Sequence, residues 1–287
     1  MHTYQIVTDS CCDFNRARYE ARDVAYAPLT VRFRDREHRN FSEDAQLKEF
    51  YEGLRQGHTG TTSAANPDLW CRTMEPFLKE GKDILCLTFS SALSATAQSA
   101  QMAGEELRER FPQRKILVVD TLCAAWGQGL LVELACRQRD RGMGLEELCA
   151  WVEEHKLHIA HWVTVDDLGH LKRGGRISAA TALVGGMLNI KPIIHVDNNG
   201  ALVNVGKCRG RKAAIECLAD HLAEDITDTQ TIAIGHGDCP EDAAFLEAKL
   251  REKCPGVKEV IVGYVGGVIG AHTGPGVLAL FYLGKKR

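Results

Sequence analysis

The sequence has no apolar run near the roughly 18 to 20 residues that a membrane-spanning helix needs; its most apolar tail, VLALFYLG (277–284), is the length of a strand. It has no C-x-x-C pair, and its eleven cysteines are odd in number and scattered through helix and strand patterns. That distribution argues against a disulfide framework or a zinc site and predicts reduced thiols in a cytoplasm. No charged segment with an apolar core behind it precedes the strand-like IVTDS, so the expectation is a chain without a secretory signal, starting near Met1. No G-x-G-x-x-G follows that first strand, which leaves nicotinamide or flavin binding of the common kind unsupported. The nearest approach to a nucleotide phosphate loop is GALVNVGKC (200–208). It has one residue too many between its glycines, and Cys208 stands where a magnesium-binding hydroxyl is needed. Positive charge is not in excess: 35 Lys and Arg face 38 Asp and Glu, so nucleic acid is not an expected partner. Internal repeats and low-complexity segments are missing as well.

What remains is an ordinary globular composition, 45% hydrophobic and 25% charged, on 287 residues, enough for two modest cores. Strands are expected at 5–8, 24–33, 84–89 and 115–120, the last two being short apolar runs of the kind buried in parallel sheets. Helices fill the gaps. Ser42 reads as the N-cap of EDAQLKEFYEGLRQG, Asn66 with Pro67 opens PDLWCRTMEPFLKEG, and SATAQSAQMAGEELRERF follows the third strand. Further helices at 124–139 and 145–155 complete a β/α alternation that predicts a parallel sheet covered on both faces. Beyond HIAHWVTV the texture changes. A short helix at 167–173 precedes two β-rich runs flanking Asn198, Asn199 and Gly200, a hairpin signal. Helices then alternate with the strands TIAIGHG, EVIVGYV and VLALFYL, so a sheet-plus-helix α+β unit is expected after a boundary near residue 158.

Several stretches carry chemistry-bearing residues. His155, His158 and His161 lie three apart, but HKLHIAH crosses from a helix end into a strand, which would scatter the rings and disfavours a metal site. Cys11 and Cys12, after the first strand, read as small fillers with a reactive alternative. The hydroxyl-rich segments TGTTSAANP (59–67) and TFSSALSATAQS (88–99) each precede a helix. In an open parallel sheet, strand carboxyl ends and adjoining helix starts form the ligand crevice, and hydroxyls with free backbone N–H groups there favour a carboxylate or phosphate. GYVGGVIGAHTGPGVLAL (263–280) sets six glycines around His272, a loop whose backbone can approach a ligand closely.

Taken in order, IVTDSCCDF, TTSAANP, SSALSATAQSA, VDDLGHLKRGGRIS, LNIKPIIHVDNNG, GKCRGRKAA and IGAHTGPG resemble the DegV family, the fatty-acid-binding subunits of bacterial fatty acid kinase. The resemblance spans essentially the whole chain. It implies an α/β protein of two domains: a Rossmann-like three-layer α/β/α domain over residues 1–158 and a two-layer α+β domain with a mixed or antiparallel sheet over 159–287. It also implies one long-chain fatty acid in a tunnel, with no cofactor, no metal and no catalytic residue. By motif, Thr62, Ser94 and His272 fall at the carboxylate, while Ser63, Arg209 and Gly274 fall at the headgroup or at the face turned to the kinase. Ala64, Ala65, Asn66 and Ala95 depart from the commoner family residues, which bears on headgroup-loop shape and chain-length preference.

The physics fits that implication. A buried carboxylate needs hydrogen-bond donors, and each buried methylene contributes roughly 0.8 kcal/mol, on the order of 10 kcal/mol gross for about sixteen carbons. The implied role is to carry the acid and present its carboxylate to a separate kinase. Two other readings stand beside it: a serine hydrolase or acyl transferase using Ser94 and His272, though no G-x-S-x-G elbow is present, and a regulatory protein with lipid as filler. DDLGHLKRGGRIS (166–178) reads as a short helix ended by Gly174 and Gly175 in the left-handed conformation. Its cations would favour the helix dipole and, with Arg209, Arg211 and Lys212, form a basic rim.

Overall fold

A computed structural model describes residues 2–39, 41, 43–177 and 189–287. Its first half runs β1 (Tyr4–Asp9), α1 (Arg16–Ala21), β2 (Val24–Ala27), β3 (Thr30–Phe33), β4 (Arg36–Arg39), α2 (Asp44–Arg55), β5 (Gly60–Ser63), α3 (Pro67–Lys79), β6 (Asp83–Thr88), α4 (Thr96–Arg110), β7 (Ile116–Asp120), α5 (Trp126–Asp140) and α6 (Leu145–His155). The second half runs β8 (Ile159–Thr164), α7 (Gly169–Arg173), β9 (Ile190–Val196), β10 (Leu202–Arg209), α8 (Arg211–Asp225), β11 (Thr231–His236), α9 (Pro240–Lys253), β12 (Glu259–Tyr264), α10 (Gly267–Thr273) and β13 (Leu278–Leu283).

The expected parallel sheet is present, with order β2-β1-β6-β7. β1 is buried along its whole length, as a strand covered on both faces must be. A second sheet of six strands, β10-β9-β8-β13-β11-β12, is antiparallel except for the parallel pair β11 and β12. Asn198, Asn199 and Gly200 turn the β9–β10 hairpin, with Gly200 at φ 79°. Asn66 caps α3 by accepting from Leu69 N at 2.8 Å, with Pro67 in its first turn. Ser42, expected to cap α2, lies outside the described residues, as does most of the apolar stretch following Ile177.

Four expectations need correction. The single strand over 24–33 is two strands in different sheets, because Pro28 has no N–H for a ladder and breaks the run. The hydroxyl stretch at 59–67 is not simply a helix entry: Gly60–Ser63 forms β5 and pairs antiparallel with β3, which also pairs β4, giving a small three-stranded sheet. The glycine-rich segment around His272 is not a loop, since Gly267–Thr273 forms α10. Of the glycine pair after α7, only Gly175 is left-handed, at φ 69°; Gly174 sits at φ −74°, a conformation any residue adopts.

The layers meet along α5. Its first eleven residues, WGQGLLVELAC, are all buried, as are 12 of its 15 in all. Leu131 and Ala135 belong to one apolar cluster with Ile6 and Leu85 of the parallel sheet and Val163 and Phe281 of the mixed sheet, so the two halves share a core. The single buried acid of the helix, Glu133, accepts from Arg18 at 3.1 Å, Arg22 Nε at 2.9 Å and Arg137 at 3.1 Å. A second cluster joins Phe50, Tyr51, Trp70 and Met74 to Val268 and Ala271 of α10. A third lies under α8 and α9 on the outer face of the mixed sheet. All eleven cysteines are free, and burial pushes the Cys11 and Cys12 thiols up, so these two stay protonated as fillers. No described helix is long and apolar enough to cross a membrane.

Close approach of α5 to the first loop depends on Gly129, where an added Cβ would lie 2.4 Å from the Cys12 carbonyl oxygen and 3.1 Å from the Phe14 ring. Backbone cannot give way as a flexible side chain can. Gly129→Ala is therefore expected to cost about 1–3 kcal/mol in urea unfolding, while Gly256→Ala, with only Thr229 within 4 Å, stays near wild type.

Candidate functional site

Between the mixed sheet and the loops that follow β2, β6 and β7 lies a cavity of about 250 Å³, walled mainly by apolar side chains. Its length follows the strand register. Side chains two apart along a strand share a face and sit about 6.6 Å apart. Val163 of β8 pairs Ala279 of β13 and Ile194 of β9, and all three face the cavity. One step deeper, His161 pairs Phe281, and both rings line the wall at a centroid separation of 5.2 Å. In the other direction β8 leads into α7, whose Leu171 lines the wall near Val265, Val268 and Ile269.

His161 is a buried polar residue in an oily place, and both ring nitrogens are occupied. Nδ1 bonds the Ile159 carbonyl at 2.8 Å, and Nε2 accepts from Ala124 N at 3.2 Å. Burial drives its pKa well down, so a neutral ring presents its C–H edge. The other two histidines of the triplet point elsewhere: His155 stacks on Trp151 and His158 bonds the Gly284 carbonyl. Among the described residues no group of three metal-ligating side chains forms.

The opposite end of the cavity carries hydroxyls. Thr62, Ser63 and Ser94 all line it, as do His272 and Arg176. Thr62 is held by β5, whose register places it opposite Val31 of β3. Its Oγ1 lies 2.8 Å from His272 Nε2. Ser94, in the loop between β6 and α4, has its Oγ 2.8 Å from Thr96 Oγ1 and accepts the Thr96 N–H at 3.3 Å, tying it to the first turn of α4. Burial, reinforced by the nearby Arg176 guanidinium, pushes the His272 imidazole down to about 4, so it is neutral near pH 7.

Two helices fix this end through reciprocal contacts. A Cβ at Gly174, after α7, would lie 2.2 Å from His272 Nδ1; a Cβ at Gly274, capping α10 at φ 79°, would lie 2.5 Å from the His170 ring. Each helix thus receives the other's histidine against a glycine. Arg176 adds a strap, donating to Leu93 O at 3.2 Å and to Gly174 O, which joins the Ser94 loop to the end of α7. Asp166 and Asp167 complete the stretch. Asp167 accepts the Gly169 N–H at 2.8 Å, and Asp166 meets Lys191 at 2.6 Å.

Thr62, Ser63, Ser94 and His272 therefore share one wall. Gly274 does not line it and lies against the His170 ring, and Arg209 lies outside it, exposed at the end of β10. Arg211, assigned to a basic rim, turns inward instead, bonding Asp242 at 2.8 Å and the Gly276 carbonyl at 2.7 Å. Sequence reasoning gave Arg176 to a basic rim, Gly174 to a helix end and His161 to a histidine triplet, and passed over Phe281, whereas Arg176, His161 and Phe281 line the cavity and Gly174 backs His272. Only the adjacency of cations and glycines in LKRGGR hinted at the first two. A serine hydrolase gains no support: His272 is engaged with Thr62 and Ser94 with Thr96, which leaves Ser94 without a base among the described residues.

A family model described as "Uncharacterised protein, DegV family" matches residues 3–285. A DegV domain-containing protein of Clostridium perfringens is 42% identical over 290 residues, covering 100% of this chain and 99% of that protein. A solved DegV family protein from Thermus thermophilus, described by its fatty acid binding, shares the fold at a TM-score of 0.87 with 31% identity, over 98% of this chain and 99% of that one. A Streptococcus pneumoniae protein described as Fatty Acid Kinase B3 loaded with linoleic acid shares the fold at a TM-score of 0.83 with 24% identity, over 98% and 99% of the two chains.

In an NMR titration the His272 ring should stay neutral until about pH 4, and a midpoint near 6.5 would contradict the buried site described. The linkage has a definite sign. As pH falls below about 6.5 the unfolded chain takes up a proton that native His272 refuses until about pH 4, so stability is lost across that window. His272→Asn should flatten that part of the pH dependence in urea melts.

Proposed function

Because the chain belongs to the DegV family, we propose that it binds a long-chain fatty acid in the cavity and presents the carboxylate to a separate ATP-dependent fatty acid kinase. The observation that carries this reading is an apolar cavity ending in hydroxyls and a neutral imidazole, the one arrangement that accepts both ends of such a ligand. The wall strands bury methylenes, Thr62 and Ser94 supply hydroxyl donors to the acid, and His272 backs the Thr62 hydroxyl, with the Arg176 guanidinium as a nearby positive charge. Residues 1–158 provide the headgroup hydroxyls, and residues 159–287 complete the tunnel and contribute His272.

The chain performs no chemistry on this reading. Phosphoryl transfer needs nucleotide and magnesium sites, and the sequence has no phosphate loop to supply them. Ser63 and Ala95 are exposed beside the headgroup end, and Lys172 and Arg173 are exposed on α7 behind it, which suits a partner carrying a nucleotide. Eleven free thiols support a reducing, cytoplasmic setting.

Protein purified without detergent is expected to carry an adduct of fatty-acid mass in native mass spectrometry. Preparations that are always empty and also refuse palmitate and oleate would overturn the proposal. Thr62→Ala with Ser94→Ala should weaken oleate binding about tenfold or more; the pair also removes the contacts to His272 and Thr96, so Tm should fall by about a few degrees. Ala279→Phe fills the cavity from β13; adduct should vanish while Tm holds or rises. Adding a cognate kinase and ATP should yield acyl phosphate from loaded protein, and none without it.

A further inference from the structure

Gly174 has no conformational reason to be glycine, since at φ −74° and ψ −9° any residue would fit its backbone. What requires it is space. The position of a Cβ falls 2.2 Å from His272 Nδ1, 3.2 Å from Cγ and 3.3 Å from Cε1, so the Nδ1 edge of the ring lies flat against the glycine Cα. Among the described residues nothing accepts a hydrogen bond from that nitrogen, and the one polar contact of the ring is Thr62 Oγ1 on the other side, at 2.8 Å.

A neutral imidazole carries its proton on one nitrogen only. Placed on Nδ1, the proton would point into a C–H group and leave an N–H unsatisfied. Placed on Nε2, it meets an oxygen lone pair at hydrogen-bond distance. The choice then fixes its neighbour. If Nε2–H donates to Thr62 Oγ1, the hydroxyl cannot use its own proton on the imidazole, and that proton turns toward the cavity.

We infer that Gly174 is a positioning residue: by receiving the Nδ1 edge of His272 it sets the Nε2–H tautomer, which makes Thr62 a donor into the cavity. This rests on the proposed binding of an acid headgroup and goes beyond it. The glycine acts through two other side chains and touches no ligand. It turns a hydroxyl of indifferent polarity into one oriented for an anion. With the opposite tautomer, Thr62 would spend its proton on Nε2 and show the acid only lone pairs.

The direct test is ¹⁵N NMR of ring-labelled protein at pH 7, free and oleate-loaded. The expected His272 pattern is a protonated Nε2 and a bare Nδ1. An Nδ1–H pattern would overturn the inference even in well-folded protein. In a second arm, Gly174→Ala should displace the ring, change that pattern and weaken oleate binding about tenfold, one hydrogen bond's worth. Gly175→Asn, which tolerates the left-handed backbone at φ 69° and has nothing within 4 Å of its Cβ, alters the same turn and should leave tautomer and affinity as in wild type. Equal loss in both variants, or unaltered binding by Gly174→Ala, would count against the inference. Wild-type protein that binds no fatty acid would sink the functional proposal instead, and the tautomer measurement on free protein would still stand.

Discussion

An anion placed at the end of an oily cavity loses its hydration and must be repaid with hydrogen bonds from groups that do not have to move. On the proposed function, that constraint organises the polar end of the cavity. Hydroxyl side chains on mobile loops could supply donors, but ordering them on binding would consume part of what they contribute. Here Thr62 sits on a paired strand, Ser94 is tied to the first turn of α4, and His272 is clamped between a helix end and a strand hydroxyl. Each of these side chains is held by hydrogen bonds or packing that exist without any ligand.

The same economy extends to the two halves. Because α5 packs against both sheets, the cavity is cut into one continuous apolar core rather than left at a loose seam between domains. Arg176 ties the Ser94 loop of the first half to the end of α7, and the paired glycine–histidine contacts hold α7 against α10 at the polar end. The register of β8 with β13 sets His161 opposite Phe281 at the floor. On the proposed function, the headgroup end and the cavity floor belong to one packed frame.

Much of this frame was legible in sequence, since it is written in local patterns. Apolar runs gave β1, β6 and β7; Asn66 with Pro67 announced α3; the Asn-Gly turn announced β9 and β10. The family motifs likewise led to the cavity wall, because Thr62, Ser94 and His272 stand on it. What escaped was non-local. β5 is four residues long and is a strand only because β3 lies beside it. Gly174 looks like a helix terminator until His272, far along the chain, is placed against it. His161 read as a member of a histidine triplet, and only the strand register turns it into a floor. Pro28 was visible and underweighted: one missing N–H outweighed the apolar run around it.

The cavity was hollowed from the shared core, and that has a cost the empty protein bears alone. Lining atoms that face a void lack the dispersion partners they would have in a filled interior. Cargo would restore those partners, and by mass action a ligand that recognises only the folded chain raises folding free energy with its concentration. An unladen copy is then the frailer one, opening more often and meeting proteases sooner, so its lifetime would register how much acid the cell holds.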